Sequence, residues 1–321
     1  TPDHWHAIPT VLACRAGKDV YVEKPLAHNA HEGQVMVKTM QETGRIVQMG
    51  TQQRSQPHWQ QAVEIVKSGQ LGIIAEIRVW NNFRYRNLGN PPDGTPPKEA
   101  DYDFWLGPAP KRPFNPNRFH ATALYFWDYA GGCVTSWGVH LLDVAYWALN
   151  LKGPTSVAAA GGKFCIDDNR ETPDTFSAVY EYPGLTMTYM LRHWNGLTRP
   201  LGRFGKSNHG IEFHGTDASL YVDRRGFELC PIDDQPETQS VEGGYGTEAH
   251  VRNFIDCVKS RNKPNSSADF GHPPSVATFL GNISYRTGRK IRWDPDTETI
   301  IGDTEASEYL SREYREPWTL T

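Results

Sequence analysis

The sequence is short of several features that would narrow its function. Its five cysteines, Cys14, Cys133, Cys165, Cys230 and Cys257, are odd in number, scattered, and form no C-x-x-C pair. That argues against a disulfide framework or a cysteine zinc site and for small buried side chains. No apolar run approaches the ~18 residues that a membrane span needs. Positive charge is not in excess: 33 Lys and Arg stand against 37 Asp and Glu, a net −4, so the basic footprint of a nucleic-acid binder is missing. The opening "TPDHWH" has neither the basic start nor the apolar core of a signal peptide. It also lacks an initiator methionine, which sets the expectation of residues upstream of Thr1, and the compartment is not legible. Internal repeats and low-complexity tracts are absent, and no G-x-G-x-x-G follows a predicted strand.

What is present begins with alternating helix and strand. Pro9 and Gly17 bracket one helix. "DVYVE" is a short strand, Asn29 caps a helix that runs to Gly44, "RIVQMG" is a second strand, and Pro57 and Gly69 bracket a third helix. This rhythm predicts parallel strands joined by right-handed crossovers. After Gly72 come "IIAEIRVWNNF", a long strand, and then an irregular Pro-, Gly- and aromatic-rich stretch over 84–132. A segment this long and structureless is usually functional, and its aromatics, Trp105, Phe114, Phe119, Phe126 and Trp127, argue for order. "GVHLLDVAYWAL" is a helix. "TFSAVYEYPGLTMTYMLRHW" is a hairpin turning at Pro183-Gly184. "GIEFHG", "ASLYVD" and "FELCP" add three short strands, and two amphipathic helices, a further strand and a C-terminal helix and arm close the chain. The expected fold class is an α/β remnant with parallel strands, 1–70, followed by an α+β domain with a large, mainly antiparallel open sheet, 71–321. Helix 273–287 is expected to pack back on the first part.

Four constellations carry possible chemistry. Lys24 stands at the carboxyl end of a strand, where ligands bind in α/β sheets. A partly buried lysine there can donate to a hydroxyl or carbonyl oxygen, although the same spacing suits a solvated loop lysine. Ser136, His140 and Asp143 fall at i, i+4 and i+7, and an unbroken helix through them would put all three on one face. Neutral histidine is a natural base for an alcohol proton. Asp143 can bind a hydroxyl or bias the imidazole. Arg118 and His120, among aromatics that include Trp127, fit a loop lining a polar pocket or packing between domains. Histidines are frequent, and His28 and His31 are close enough in sequence to share a metal, but no carboxylate accompanies them at metal-site spacing, so no metal is expected.

Together these stretches resemble the Gfo/Idh/MocA family of sugar and cyclitol dehydrogenases. "TPDHWHA" at Thr1, "VEKPLA" at Val22, "GVHLLDVAYWAL" at Gly138, "DFWLGPAPKRPFNPNRFH" and "GNISYRTGRKIRWDP" carry the resemblance over essentially the whole chain. It implies an N-terminal Rossmann domain for NAD or NADP and a C-terminal α+β domain for the sugar, the latter commonly the oligomer interface, hence a homo-oligomer, a dimer or tetramer. By resemblance Lys24 touches nicotinamide and substrate, and Pro2, His6, Glu23 and Pro25 join it at the cofactor. His140 is the proton acceptor, Asp143 is counted with Lys24 and His140 as catalytic, and Ser136, Arg118, His120 and Trp127 are candidate substrate contacts. The family's Asp four residues before the histidine is Ser136 here, which cannot hold an imidazolium by charge. The resemblance also places Thr1 at the end of the fourth of the roughly six Rossmann strands, so the glycine turn, the pyrophosphate site and the acidic ribose ligand fall before the sequence. Hydride transfer from a ring carbinol is therefore the first expected activity. The alternatives are glycoside cleavage with or without bound NAD, using paired carboxylates among Asp128, Asp143, Glu181 and Glu212, and a non-catalytic carbohydrate-binding scaffold. The partner is a small sugar or glycoside, with no nucleic acid and no membrane.

Overall fold

The computed structural model describes residues 1–196, 207–232, 239–244 and 246–320. The first element is a single 3-10 turn, Asp3–Trp5. Helix α1 (Ala7–Arg15), strand β1 (Val20–Val22), helix α2 (Ala30–Thr43), strand β2 (Val47–Met49) and helix α3 (Pro57–Lys67) follow. β1 and β2 pair in parallel, Val20 opposite Val47 and Val22 opposite Met49. The local signals act as read. The Asn29 side chain accepts from Glu32 N at 3.0 Å, which satisfies one of the orphan N–H groups of α2. Gly44 takes φ 63° and stops that helix, a conformation that costs glycine nothing.

The large sheet begins with β3 (Ile74–Asn81). It gathers β4 (Ser156–Gly162), β5 (Thr175–Tyr182), β6 (Leu185–Arg192), β7 (His209–Gly215), β8 (Ala218–Asp223), β9 (Gly226–Pro231), β10 (Gln239–Glu242), β11 (Ile291–Asp294) and β12 (Thr299–Ile300). Its order is β10-β9-β8-β7-β3-β6-β5-β4-β11-β12, and every neighbouring pair is antiparallel except β3 with β6. β5 and β6 bury alternate residues, as a sheet with one covered face demands. Met187 and Tyr189 on the covered face are at most 1% exposed, each worth roughly 1.5–3 kcal/mol of burial. β4 and β10 were not legible beforehand: "SVAAAGG" and "QSVE" carry little strand propensity and owe their form to their neighbours.

The helices of the second half are α4 (Tyr102–Leu106), α5 (Gly132–Ser136), α6 (Gly138–Leu149), α7 (Glu248–Ser260), α8 (Ala268–Thr287) and α9 (Thr304–Glu308). α6 is buried nearly all round, so it belongs in the middle of the molecule, packed against α3, α5 and α8 and across β3 and β7. α8 touches α2 and β2 on one side and β4 on the other. Its Gly271 meets Met49, and Gly281 meets the Tyr180 hydroxyl, where a Cβ would come within 2.5 Å and 2.4 Å.

Two expectations need correction. α8 starts at Ala268, not 273, and carries Pro273 and Pro274 inside it; burial of this helix between the two sheets outweighs the backbone hydrogen bonds the prolines delete. The stretch from Ser136 to Asp143 is not one helix. α5 ends at Ser136, Trp137 turns the chain, and α6 starts at Gly138. The irregular segment 84–132 is ordered, with Phe119, Tyr125, Phe126 and Tyr129 buried. No helix of the described residues is long and apolar enough to cross a membrane.

Candidate active site

The break at Trp137 makes the site. The His140 N–H bonds to the Trp137 carbonyl at 3.1 Å, so the Ser136 carbonyl loses its helical donor. Lys24, coming off the end of β1, supplies one: its Nζ donates to the Ser136 carbonyl at 3.0 Å and the Ser136 hydroxyl at 3.2 Å. An ammonium has three N–H groups, and these two bonds leave one for a ligand. The resemblance had put Ser136 at the substrate; here it anchors the lysine.

One turn further, His140 is 4% exposed. Its Nδ1 lies 2.9 Å from the Gln53 Oε1. Burial depresses the imidazole pKa far below its usual value, and the positive or polar neighbours Lys24, Arg224, His209 and His250 push the same way. The ring is therefore neutral at pH 7, the form that accepts a proton. Trp137 stands beside it, ring centroids 5.8 Å apart. Phe83, from the end of β3, and His209, from β7, pack on Trp137 at 4.5 Å and 5.5 Å. The Arg224 guanidinium lies 4.4 Å over the Trp137 ring. This wall of Phe83, Trp137, His209 and Arg224 was missed by sequence reasoning, since nothing local links four positions spread over more than a hundred residues.

Asp143 is placed differently. It is fully buried, and both its oxygens accept from Arg54, at 2.8 Å each. No hydrogen bond from Asp143 to Lys24 or His140 accompanies these two among the described residues, so it is not brought into the Lys24–His140 group. Gln53 and Arg54 were also missed, though a signal existed: both follow the carboxyl end of β2 as Lys24 follows that of β1, the edge where parallel sheets bind ligands.

Of the cofactor-side candidates, His6 and Pro25 meet. His6 sits with Nδ1 2.8 Å from the Pro25 carbonyl and Nε2 3.2 Å from the Thr1 carbonyl, and burial takes its pKa down to about 4, so the neutral ring ties the first turn to the Lys24–Pro25 turn. Glu23 is exposed beside Gly50, where a Cβ would come within 2.9 Å of its carboxylate. Pro2 is the residue before the 3-10 turn. Asp3, not singled out before, has a buried Oδ2 without a partner. Burial raises its pKa to about 7, Lys24 opposes the rise and Glu23 adds to it.

Three other candidates lie apart. Arg118 donates to Asp93 at 2.5 Å and to the Pro113 carbonyl at 2.9 Å, which locks its own loop. His120, exposed at φ 53°, leans on Phe119 beside an apolar groove with Pro2, Trp5 and Trp105. Trp127 lies under Arg286 in a separate cleft of about 470 Å³ with Tyr309 and Arg312. Its carbonyl accepts from His28 Nε2 at 2.9 Å. The four carboxylates considered for glycoside cleavage do not pair: Asp128 is held by Arg112, Asp143 by Arg54, Glu181 by Lys290, and Glu212 lies against His214.

Residues 61–320 match the oxidoreductase family's C-terminal alpha/beta domain and residues 1–51 its NAD-binding Rossmann fold. The chain belongs to the Gfo/Idh/MocA oxidoreductase family. An uncharacterized oxidoreductase of Rhizobium meliloti is 35% identical over 77 residues, 24% of this chain and 23% of that protein, so the match spans about a quarter of that relative's length. Among solved structures, aldose-aldose oxidoreductase from Caulobacter crescentus, complexed with glycerol, superposes with TM-score 0.65 at 19% identity, over 91% of this chain and 77% of that one. Levoglucosan dehydrogenase, in complex with NADH and levoglucosan, does so with TM-score 0.66 at 16% identity, over 91% and 78%. These two likenesses are of fold.

The residues present fit the nicotinamide end of such a cofactor. Asp3, in the 3-10 turn, offers an unpaired buried oxygen, and Lys24, past the end of β1, keeps an N–H free. The G-x-G-x-x-G pattern of a pyrophosphate turn does not occur in the sequence.

Proposed function

We propose that this chain acts as an NAD(P)-dependent dehydrogenase on a sugar or cyclitol. The observation that supports it best is the pairing of Lys24 with His140 across the helix break at Trp137. The sheet unit of β1 and β2 delivers the ammonium, α6 delivers the imidazole, and Ser136 fixes one against the other. Family membership and the likeness in fold to sugar dehydrogenases support the same reading.

The ring carbinol binds beside the half-buried Trp137, on the side where His140 stands. Its oxygen accepts the free N–H of Lys24, which stabilises negative charge developing there. His140 Nε2 takes the hydroxyl proton as general base. Bound NAD(P)+ supplies the hydride-accepting chemistry. Lys24, Asp3 and the Glu23–Pro25 turn would hold its nicotinamide end, and Phe83, His209 and Arg224 shape the substrate side. Nothing in the placement of Asp128, Asp143, Glu181 and Glu212 favours a two-carboxylate glycosidase.

The test is twofold. NAD+ and NADP+ are titrated onto the purified chain by calorimetry, and a panel of aldoses, anhydrosugars and cyclitols is then assayed for reduced nicotinamide. Turnover of at least one substrate, abolished in His140→Ala, is expected. Cofactor binding without any turnover would sink the dehydrogenase reading, and so would turnover that His140→Ala leaves intact.

A further inference from the structure

The family's usual carboxylate partner for the histidine is absent, yet the His140 ring is not free to spin. Gln53 comes from the 3-10 turn Gln52–Ser55 after β2 and is itself fully buried. Its Oε1 faces the His140 Nδ1 at 2.9 Å. The other ring nitrogen, Nε2, has no hydrogen bond among the described residues, and it is not one of the sealed polar atoms. One nitrogen is held and the other is neither paired nor sealed.

We propose that Gln53 is the positioning residue of His140, accepting its Nδ1–H so that Nε2 is the atom left to take a proton. This rests on the reading of His140 as the base. An amide oxygen accepts a hydrogen bond but carries no charge, so it selects the tautomer without stabilising the imidazolium. A carboxylate in the same place would do both. The charged and titratable groups around His140 reinforce the neutral form. Lys24 faces it from the end of β1, Arg224 from the β8–β9 turn, His209 from β7 and His250 from α7. Arg54, beside Gln53, is neutralised by Asp143 on α6 itself. Burial and these neighbours keep the base unprotonated at neutral pH, and Gln53 decides which of its nitrogens is left to accept. That base passes no proton inward, because an amide cannot relay one to a group behind it; the proton taken at Nε2 leaves through the cleft.

The experiment reads the ring before it reads activity. Nitrogen NMR of His140 in the unliganded chain is compared for wild type, Gln53→Leu and Gln53→Glu. Wild type is expected to show the Nδ1–H tautomer alone and Gln53→Leu a mixture. In Gln53→Glu the ring should titrate about 1 to 3 pH units higher. With substrate and cofactor, Gln53→Leu should lower kcat by about 10²-fold at nearly constant KM, as a misplaced base does. Gln53→Glu should move the acid limb of the pH profile upward by the shift seen in the NMR titration. An Nε2–H tautomer in wild type overturns the proposal, and so does a titration that Gln53→Glu leaves in place. If Gln53→Leu does not fold, Gln53→Glu decides alone. The expected tautomers without any turnover would keep Gln53 as the orienting group and reject the function. Turnover with the opposite tautomer would do the reverse.

Discussion

His140 and Asp143 sit one turn apart on the same buried helix, and they end in opposite conditions. Asp143 spends both oxygens on Arg54 and is sealed. His140 spends one nitrogen on Gln53 and keeps the other. The same holds across the cleft, where Lys24 anchors on Ser136 and retains an N–H. A closed pair of this kind joins the β1–β2 unit to α6, since Arg54 belongs to one and Asp143 to the other. The open groups are the ones with something left to do. Buried polar residues of similar exposure are thus sorted by what remains unpaired, and perturbed groups near a cleft with a free atom are the functional candidates.

The largest expected effect is on the open side. His140→Ala should cost about 10²–10⁴-fold in kcat with little change in melting temperature, measured by steady-state assay and calorimetry side by side. On the closed side the effect should be on stability: Arg54→Ala strands the Asp143 carboxylate in the interior and should cost about 3–5 kcal/mol in chemical denaturation. If Arg54→Ala left stability intact, the distinction between closed and open groups would collapse. Lys24→Met should fall between them, lowering kcat/KM by about 10²-fold or more while the fold tolerates the change, because Lys24 and Ser136 are only half-buried.

Asp3→Asn is a smaller, pH-dependent case. Asp3 in the folded chain holds its proton up to about pH 7, against an ordinary value of 3.8. Between those values the native state binds the extra proton, so the contribution of Asp3 to stability falls as pH rises through that window and is constant above it. Asp3→Asn should flatten this part of the stability profile, read by denaturation across the window; a profile unchanged by the substitution would refute the raised pKa. The smallest effect belongs to an exposed control. The Lys38–Glu42 pair on α2 is 3.8 Å apart with both side chains mostly in water, and Glu42→Ala should change stability by less than about 0.5 kcal/mol.

The readings that held rest on short-range physics. Asn29 and Gly44 bound α2 because a side-chain cap and a left-handed residue act within one turn. Gly184 turns the β5–β6 hairpin at φ 73° for the same reason. The hairpin read in "TFSAVYEYPGLTMTYMLRHW" forms as β5 against β6. Lys24 and His140 were legible as a pair only through the order of motifs along the chain. The spacing of Ser136, His140 and Asp143 misled, because it assumed a helix that Trp137 interrupts. Arg118 and Trp127 misled because loop composition does not say which cavity a side chain faces.

By itself, then, the sequence determined the local elements, since caps, turns and periodicity depend on neighbours a few positions away. The tertiary structure alone decided which polar atoms are paired. Gln53 reaches His140 across 87 positions and Arg54 reaches Asp143 across 89, distances at which no local pattern survives. The division between a sealed ion pair and an open base is a consequence of packing: the fold fixes which side chains meet, and only then is it settled which oxygen or nitrogen is left over.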